Sequence, residues 1–251
     1  MEKQPESVVV VVLAAGKGTR MKSDKAKVLH PVCDRPMILH VVDTATQVAG
    51  KEIVIVVGNQ SEEVKNVVSQ EAEVVFALQQ EQRGTGHAVK SALPVLPGYS
   101  TQVVILSGDV PLIKAPTVNA LLNVHINQKN DITVLGVRLE NPFGYGRIIV
   151  NNAGDVAKIV EEADATETQK QITIVNSGIY CVKRQFLEIS LTQLRSDNRQ
   201  NEIYLTDIVE VAKNHDKKIG LMICKDETEV LGVNTPQDLL NVESLMIAAR
   251  K

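Results

Sequence analysis

Five consecutive valines, Val8 to Val12, run into the stretch LAAGKGTRM, Leu13 to Met21, which sets Gly16 and Gly18 among Lys17, Thr19 and Arg20. Glycines let backbone N–H groups close on an anion with no Cβ in the way. A loop of this kind at the C-terminal end of a buried strand is where open α/β sheets bind ligands. The competing reading is an ordinary tight strand-to-helix turn carrying a solvated lysine and arginine. Two named fingerprints do not fit: the third glycine of GxGxxG would fall at Met21, and no Gly-Lys pair meets the GxxxxGK[ST] pattern.

Two further segments carry residue types suited to the same chemistry. VVILSGDVPL, Val103 to Leu112, places Asp109 just beyond an apolar run. A carboxylate there can hold Mg²⁺, a hard cation bound by one or two carboxylates plus substrate phosphates. The alternative is a helix-capping or turn aspartate. QQEQRGTGHA, Gln79 to Ala88, follows another apolar run. The Gln79 amide offers a donor and an acceptor, as does a pyrimidine edge with N3–H beside a carbonyl, and Gly84, Thr85 and Gly86 let backbone approach a flat ring. Alternatively the two glycines shape a turn and Thr85 caps the helix.

These segments need a frame. Apolar runs at Val8–Leu13, Ile53–Val57, Val74–Leu78, Val103–Leu106, Ile132–Gly136, Ile172–Val175 and Gly220–Cys224 read as strands. Helical spacing lies between them at Met37–Val48, Ser61–Ser69, Gly86–Leu93 and Thr117–Asn127. The alternation predicts an α/β fold with a doubly wound, mostly parallel sheet. Beyond residue 130 the rhythm changes. Tyr145–Glu161 holds Asn151-Asn152-Ala153-Gly154-Asp155 between two β-rich runs, which predicts a small antiparallel insertion. A last helix is expected over Thr235–Ala249, with Pro236 in its first turn. No Gly-, Pro- or Ser-rich linker, repeat or low-complexity tract divides the chain, so residues 1–236 read as one domain and 237–251 as its C-terminal helix.

Composition narrows the function. With 251 residues, a net charge of −3, no tryptophan and 3% aromatics, the chain has neither the basic footprint nor the stacking platforms of a nucleic-acid binder. No apolar run approaches membrane-spanning length, and the polar start MEKQPES has no signal pattern, so a cytoplasmic location is expected. Cys33, Cys181 and Cys224 are odd in number and lack CxxC spacing, which predicts reduced thiols. The five histidines, His30, His40, His87, His125 and His215, show no metal spacing and sit beside no nucleophile signature. Each is expected to be a surface or hydrogen-bonded core residue.

Nine segments occur in the order seen in bacterial N-acetylglucosamine-1-phosphate uridyltransferases. They are LAAGKGTRM, SDKAKVLHPV with Lys27, the QxEQxGTGHA segment, GDVPL, GYGRI, IVEEADAT, VNSGIY, NEIYLTDIV and GVNTPQDL. Over nearly its whole length the chain resembles the N-terminal, pyrophosphorylase domain of the GlmU-type bifunctional enzymes. The resemblance implies a Rossmann-like nucleotidyltransferase that makes UDP-N-acetylglucosamine and pyrophosphate from UTP and N-acetylglucosamine 1-phosphate with Mg²⁺. It implies that Arg20 and Lys27 hold the UTP phosphates, helped by backbone from Leu13, Ala14, Ala15, Gly16 and Gly18. Gln79, Gly84 and Thr85 would recognise uracil, Gly146, Glu161 and Asn176 the sugar, and Asp109 and Asn234 would ligate Mg²⁺. Another sugar-1-phosphate nucleotidyltransferase, or a nucleotide-sugar-binding regulatory domain without catalysis, is the alternative. Two departures stand out: Ala26 replaces the family's usual proline before the lysine, and Ser107 replaces the usual aromatic or aliphatic residue before Gly-Asp. No left-handed β-helix is expected within the chain, so neither acetyl transfer nor trimerisation follows.

Overall fold

The structure, a computed structural model, describes residues 6–151 and 154–249. The valine run forms β1 (Val8–Ala14). A small ribbon, β2 (Pro31–Val32) and β3 (Arg35–Pro36), leads into α1 (Met37–Ala49). Then come β4 (Ile53–Val57), α2 (Ser61–Ser69), β5 (Val75–Leu78), α3 (Thr85–Ala92), β6 (Gln102–Ser107), α4 (Ala115–Asn127) and β7 (Ile132–Arg138). The hairpin β8 (Arg147–Val150) and β9 (Val156–Val160) precedes α5 (Glu167–Lys170) and β10 (Ile174–Lys183). The chain closes with α6 (Arg184–Ser190), α7 (Ile208–Asn214), β11 (Ile219–Ile223) and α8 (Pro236–Ala248).

The main sheet runs β11-β7-β10-β6-β1-β4-β5. β1 pairs in parallel with β4 and β6, β4 with β5, and β7 with β11. β10 alone runs against its neighbours β6 and β7, so the sheet is mixed but mostly parallel. Helices cover both faces, and the valines of β1 divide between them: Val10 and Val12 belong to one apolar layer, Val9 and Val11 to the other. This is why β1 shows no polar alternation.

The antiparallel insertion is the β8–β9 hairpin. Its turn is closed by Asn151 N–H to the Asp155 carbonyl at 2.8 Å, while Asn152 and Ala153 lie outside the described residues. The strand expected at Ile172–Val175 is the start of the ten-residue β10. Its register with β7 shifts between Asn176 and Ile179, where Gly178 has φ +77. That bulge breaks the apolar pattern, which resumes at Ile179. The last helix begins at Pro236 because Thr235 caps it, in a reciprocal box with Asp238.

Candidate active site

The C-terminal ends of β1, β5 and β6 open on one broad cleft. A part of about 930 Å³ contains Leu13, Ala14, Ala15, Gly16 and Gly18 together with Gln79 and Gly84, and a part of about 470 Å³ contains Gly146 and Asn176. Arg20, Thr85, Asp109 and Glu161 line both. The residues expected to hold nucleotide, metal and sugar therefore face a single space.

The glycine loop presents unused donors. Among the described residues the N–H groups of Gly16, Lys17 and Gly18 meet no protein acceptor. Gly18 has φ +62, and a Cβ there would lie 2.6 Å from Cβ of Lys27. Its glycine thus serves the close approach of the lysine segment. Gly16 has open space where a side chain would stand, so a Cβ there would enter the cleft instead.

Four side chains from three distant parts of the sequence meet beside this loop. Lys27 Nζ pairs with Asp109 Oδ2 and donates to Asn234 Oδ1 at 3.1 Å, and Arg20 Nη2 donates to the same Asn234 oxygen at 2.9 Å. Asp109 follows β6, while Asn234 is held by its own N–H donating to Asp238 Oδ2 at 2.9 Å in the α8 cap. Val233 N–H donates to the Asp109 carbonyl at 2.8 Å and ties the two segments together. One carboxylate oxygen and one amide oxygen thus converge on a single cationic atom. Hard oxygens so arranged fit Mg²⁺, which keeps waters and substrate phosphates in its remaining positions. Among the described residues no group of three or more His, Cys, Asp or Glu could hold a metal without such help.

The segment expected to face the base is built on Gly84. Its φ is +104, and a Cβ would lie 2.5 Å from the Ile203 carbonyl oxygen. The turn is pinned from both sides: Ile203 N–H donates to the Arg83 carbonyl at 2.7 Å, and Gly86 N–H to the Ile203 carbonyl at 2.8 Å. One alternative reading and one expectation are revised here. Thr85 does not cap α3; its hydroxyl accepts from Leu205 N–H at 3.0 Å. The Gln79 amide does not offer both a donor and an acceptor to a ligand. Its nitrogen donates to the Gly84 carbonyl and meets His87 Nδ1, each at 3.1 Å, which leaves Oε1 as the available atom. The Gly84 and Thr85 N–H groups have no acceptor among the described residues and are available as backbone donors.

Gly146, Glu161 and Asn176 also come together. Asn176 N–H donates to the Gly146 carbonyl at 2.8 Å, and a Cβ on Gly146 would stand 3.2 Å from Glu161 Oε2. The Asn176 side chain donates to the Tyr180 hydroxyl at 2.7 Å and accepts from Gly178 N–H at 3.1 Å, so the β10 bulge fixes its orientation. Burial pushes the Glu161 carboxyl up, and Asp164 and Glu202 add to this; a 3.1 Å hydrogen bond from the Thr206 hydroxyl acts the other way. Sequence reasoning did not reach Thr206, Tyr180 or the buried Arg147. The Arg147 guanidinium pairs with Glu162 at 2.8 Å, and Glu162 in turn accepts from Gly144 N–H at 3.2 Å, which secures the loop ahead of Gly146. The GYGRI segment that carries Arg147 was the available signal.

Residues 9–248 match the family model described as nucleotidyl transferase. The chain is 45% identical over 240 residues to the bifunctional protein GlmU of Geotalea uraniireducens, covering 96% of this chain and 52% of that protein. It is 47% identical over 236 residues to the bifunctional protein GlmU of Clostridium perfringens SM101, covering 94% and 51%. The chain thus spans about half the length of these relatives. In fold it is similar to a putative glucose-1-phosphate thymidylyltransferase from Bacillus anthracis solved with sucrose, with a TM-score of 0.73, 21% identity and 95% of each chain covered.

Proposed function

The chain belongs to the nucleotidyl transferase family, and from that premise we propose that it transfers uridylyl from UTP to N-acetylglucosamine 1-phosphate, giving UDP-N-acetylglucosamine and pyrophosphate. The observation that carries this reading is the convergence of Arg20, Lys27, Asp109 and Asn234 beside the free N–H groups of the glycine loop. A phosphate oxygen of the sugar phosphate attacks the α-phosphorus of UTP, and the bond from that phosphorus to the bridging oxygen breaks in line. The nucleophile is already anionic, so the site needs no covalent intermediate and no strong base. Its work is to align two polyanions and offset their repulsion.

Asp109 and Asn234 would hold Mg²⁺, which when bound would supply positive charge to offset that of the phosphates. Lys27 and Arg20 lie within reach of the same oxygens and would take the triphosphate, with Gly16 to Gly18 donating from the backbone. Gln79 Oε1 would accept uracil N3–H while backbone at Gly84 and Thr85 donates to O4. Glu161, Asn176 and Gly146 would orient the sugar. We further propose that residues 1–236 form the nucleotidyltransferase domain and that α8 closes it; of the helix expected over 237–251, residues 250 and 251 lie outside the described residues. Among the described residues no helix is long and apolar enough to cross a membrane. We propose that the chain works in the cytoplasm, where its UTP would be supplied.

The test is pyrophosphate release measured for UTP, CTP, TTP and ATP against several sugar 1-phosphates. Release should be fastest with UTP and N-acetylglucosamine 1-phosphate and should need Mg²⁺. A preference for TTP or another sugar would move the chain to a different sugar nucleotidyltransferase, and no release with any pair would leave a nucleotide-sugar-binding domain.

A further inference from the structure

His87 lies outside every role assigned above, yet it meets the one side chain placed against the base. The Gly84 carbonyl can only accept, so the Gln79 atom 3.1 Å from it is the amide nitrogen. The second hydrogen of that nitrogen is directed to His87 Nδ1, also at 3.1 Å. Nδ1 must then carry its lone pair, with the ring proton on Nε2. Turning the Gln79 amide over would set its oxygen against the Gly84 carbonyl, which can only accept. Helix α3 holds the ring in place, since its first turn is locked to Ile203 and Leu205 through Gly86 and Thr85.

Resting on the uridylyl reading, we propose that His87 is a positioning residue for base selection. By accepting from Gln79 it holds the amide oxygen, rather than the amide nitrogen, toward the base edge. Uracil presents N3–H to that oxygen and is accepted, whereas cytosine presents an N3 lone pair and is repelled. With a side chain that cannot accept at this position, one of the two restraints on the amide is lost. The amide can then turn to offer N–H to cytosine. His87 is not among the residues lining either part of the cleft, so its removal should alter base discrimination and leave turnover of bound UTP largely intact.

The experiment compares kcat and KM for UTP and CTP in the unaltered protein, in His87→Leu and in His87→Asn, whose amide oxygen can accept in place of Nδ1. His87→Leu should narrow the UTP-over-CTP ratio in kcat/KM about tenfold, mainly through KM, as expected for loss of one neutral hydrogen bond. His87→Asn should restore most of the ratio. A purely structural role would depress both nucleotides equally and leave the ratio unchanged, which would overturn the proposal. So would a His87→Asn ratio as low as that of His87→Leu. An unaltered protein that used UTP and CTP alike would remove both this proposal and the uridylyl reading, whereas UTP selectivity untouched by either variant would remove this proposal alone.

Discussion

Replacing Asp109 with alanine removes the one carboxylate proposed to hold Mg²⁺. The size of the effect follows from where that carboxylate sits. The Asp109 and Lys27 side chains are 20% and 15% exposed, so the site is shielded but not dry. At an effective dielectric near 20, unit charges about 4 Å apart interact by roughly 4 kcal/mol. Water entering beside Asn234 recovers part of that, which leaves about 2–3 kcal/mol of lost stabilisation for charge developing on the departing pyrophosphate. This corresponds to a fall of about a hundredfold in kcat, together with a requirement for more Mg²⁺. Stability should change little, by about 1 kcal/mol at most, because Lys27 keeps the Asn234 oxygen and a path to solvent. The assay is pyrophosphate release across a Mg²⁺ titration, with a thermal melt to confirm folding. A folded Asp109→Ala protein with near-normal turnover at limiting Mg²⁺ would refute the assignment.

Three other outcomes are expected. Glu161→Gln and Asn176→Ala should each raise KM for the sugar phosphate more than KM for UTP, at about 1–3 kcal/mol per lost partner; equal effects on both substrates would indicate general loop disorder instead. Gly84→Ala, whose Cβ would meet the Ile203 carbonyl at 2.5 Å with φ +104, should cost about 2–3 kcal/mol in denaturant unfolding and weaken UTP binding. An unchanged midpoint would contradict the packing described. Burial, with the negative neighbours Glu210, Glu161, Asp197 and Asp164, pushes the Asp207 carboxyl up to about 6. A raised folded-state value means this group favours the folded protein at pH below about 4, its unfolded value, and that contribution is lost as pH rises through 6. Asp207→Asn should therefore flatten the stability profile over that window by about 1 kcal/mol, allowing for partial exposure of the group; identical profiles for the two proteins would contradict the burial argument.

How much of this was legible in the sequence depended on the length and continuity of each pattern. Val9–Val12 and Ile53–Val57 are unbroken apolar runs buried on both faces, as interior strands are. β10 was visible for two residues only, because Asn176-Ser177-Gly178 interrupts it at the bulge where Asn176 faces the cleft. Helices α6 and α7 have seven residues each, too few turns for an apolar stripe to declare itself. The glycine loop and Asp109 suggested phosphate and metal chemistry by residue type, each beside a turn or capping alternative, and the fold brings both to one cleft. Asn234 could not: it is an ordinary asparagine until the α8 cap and the Val233 bond to Asp109 bring it to the lysine, and it was named through resemblance. The contact between Gln79 and His87 was hidden for a similar reason, since it depends on a turn shaped by Gly84 and Ile203 rather than on spacing.

The central claim is direct uridylyl transfer between two substrates aligned in one cleft, and the exchange of labelled pyrophosphate into UTP tests it most directly. With Mg²⁺ and UTP alone the label should stay in pyrophosphate, because no uridylyl group is passed to the protein. On addition of N-acetylglucosamine 1-phosphate the label should enter UTP, as the reaction runs in both directions. Exchange without the sugar phosphate would reveal a covalent intermediate and contradict the account, as would the absence of exchange when both substrates are present.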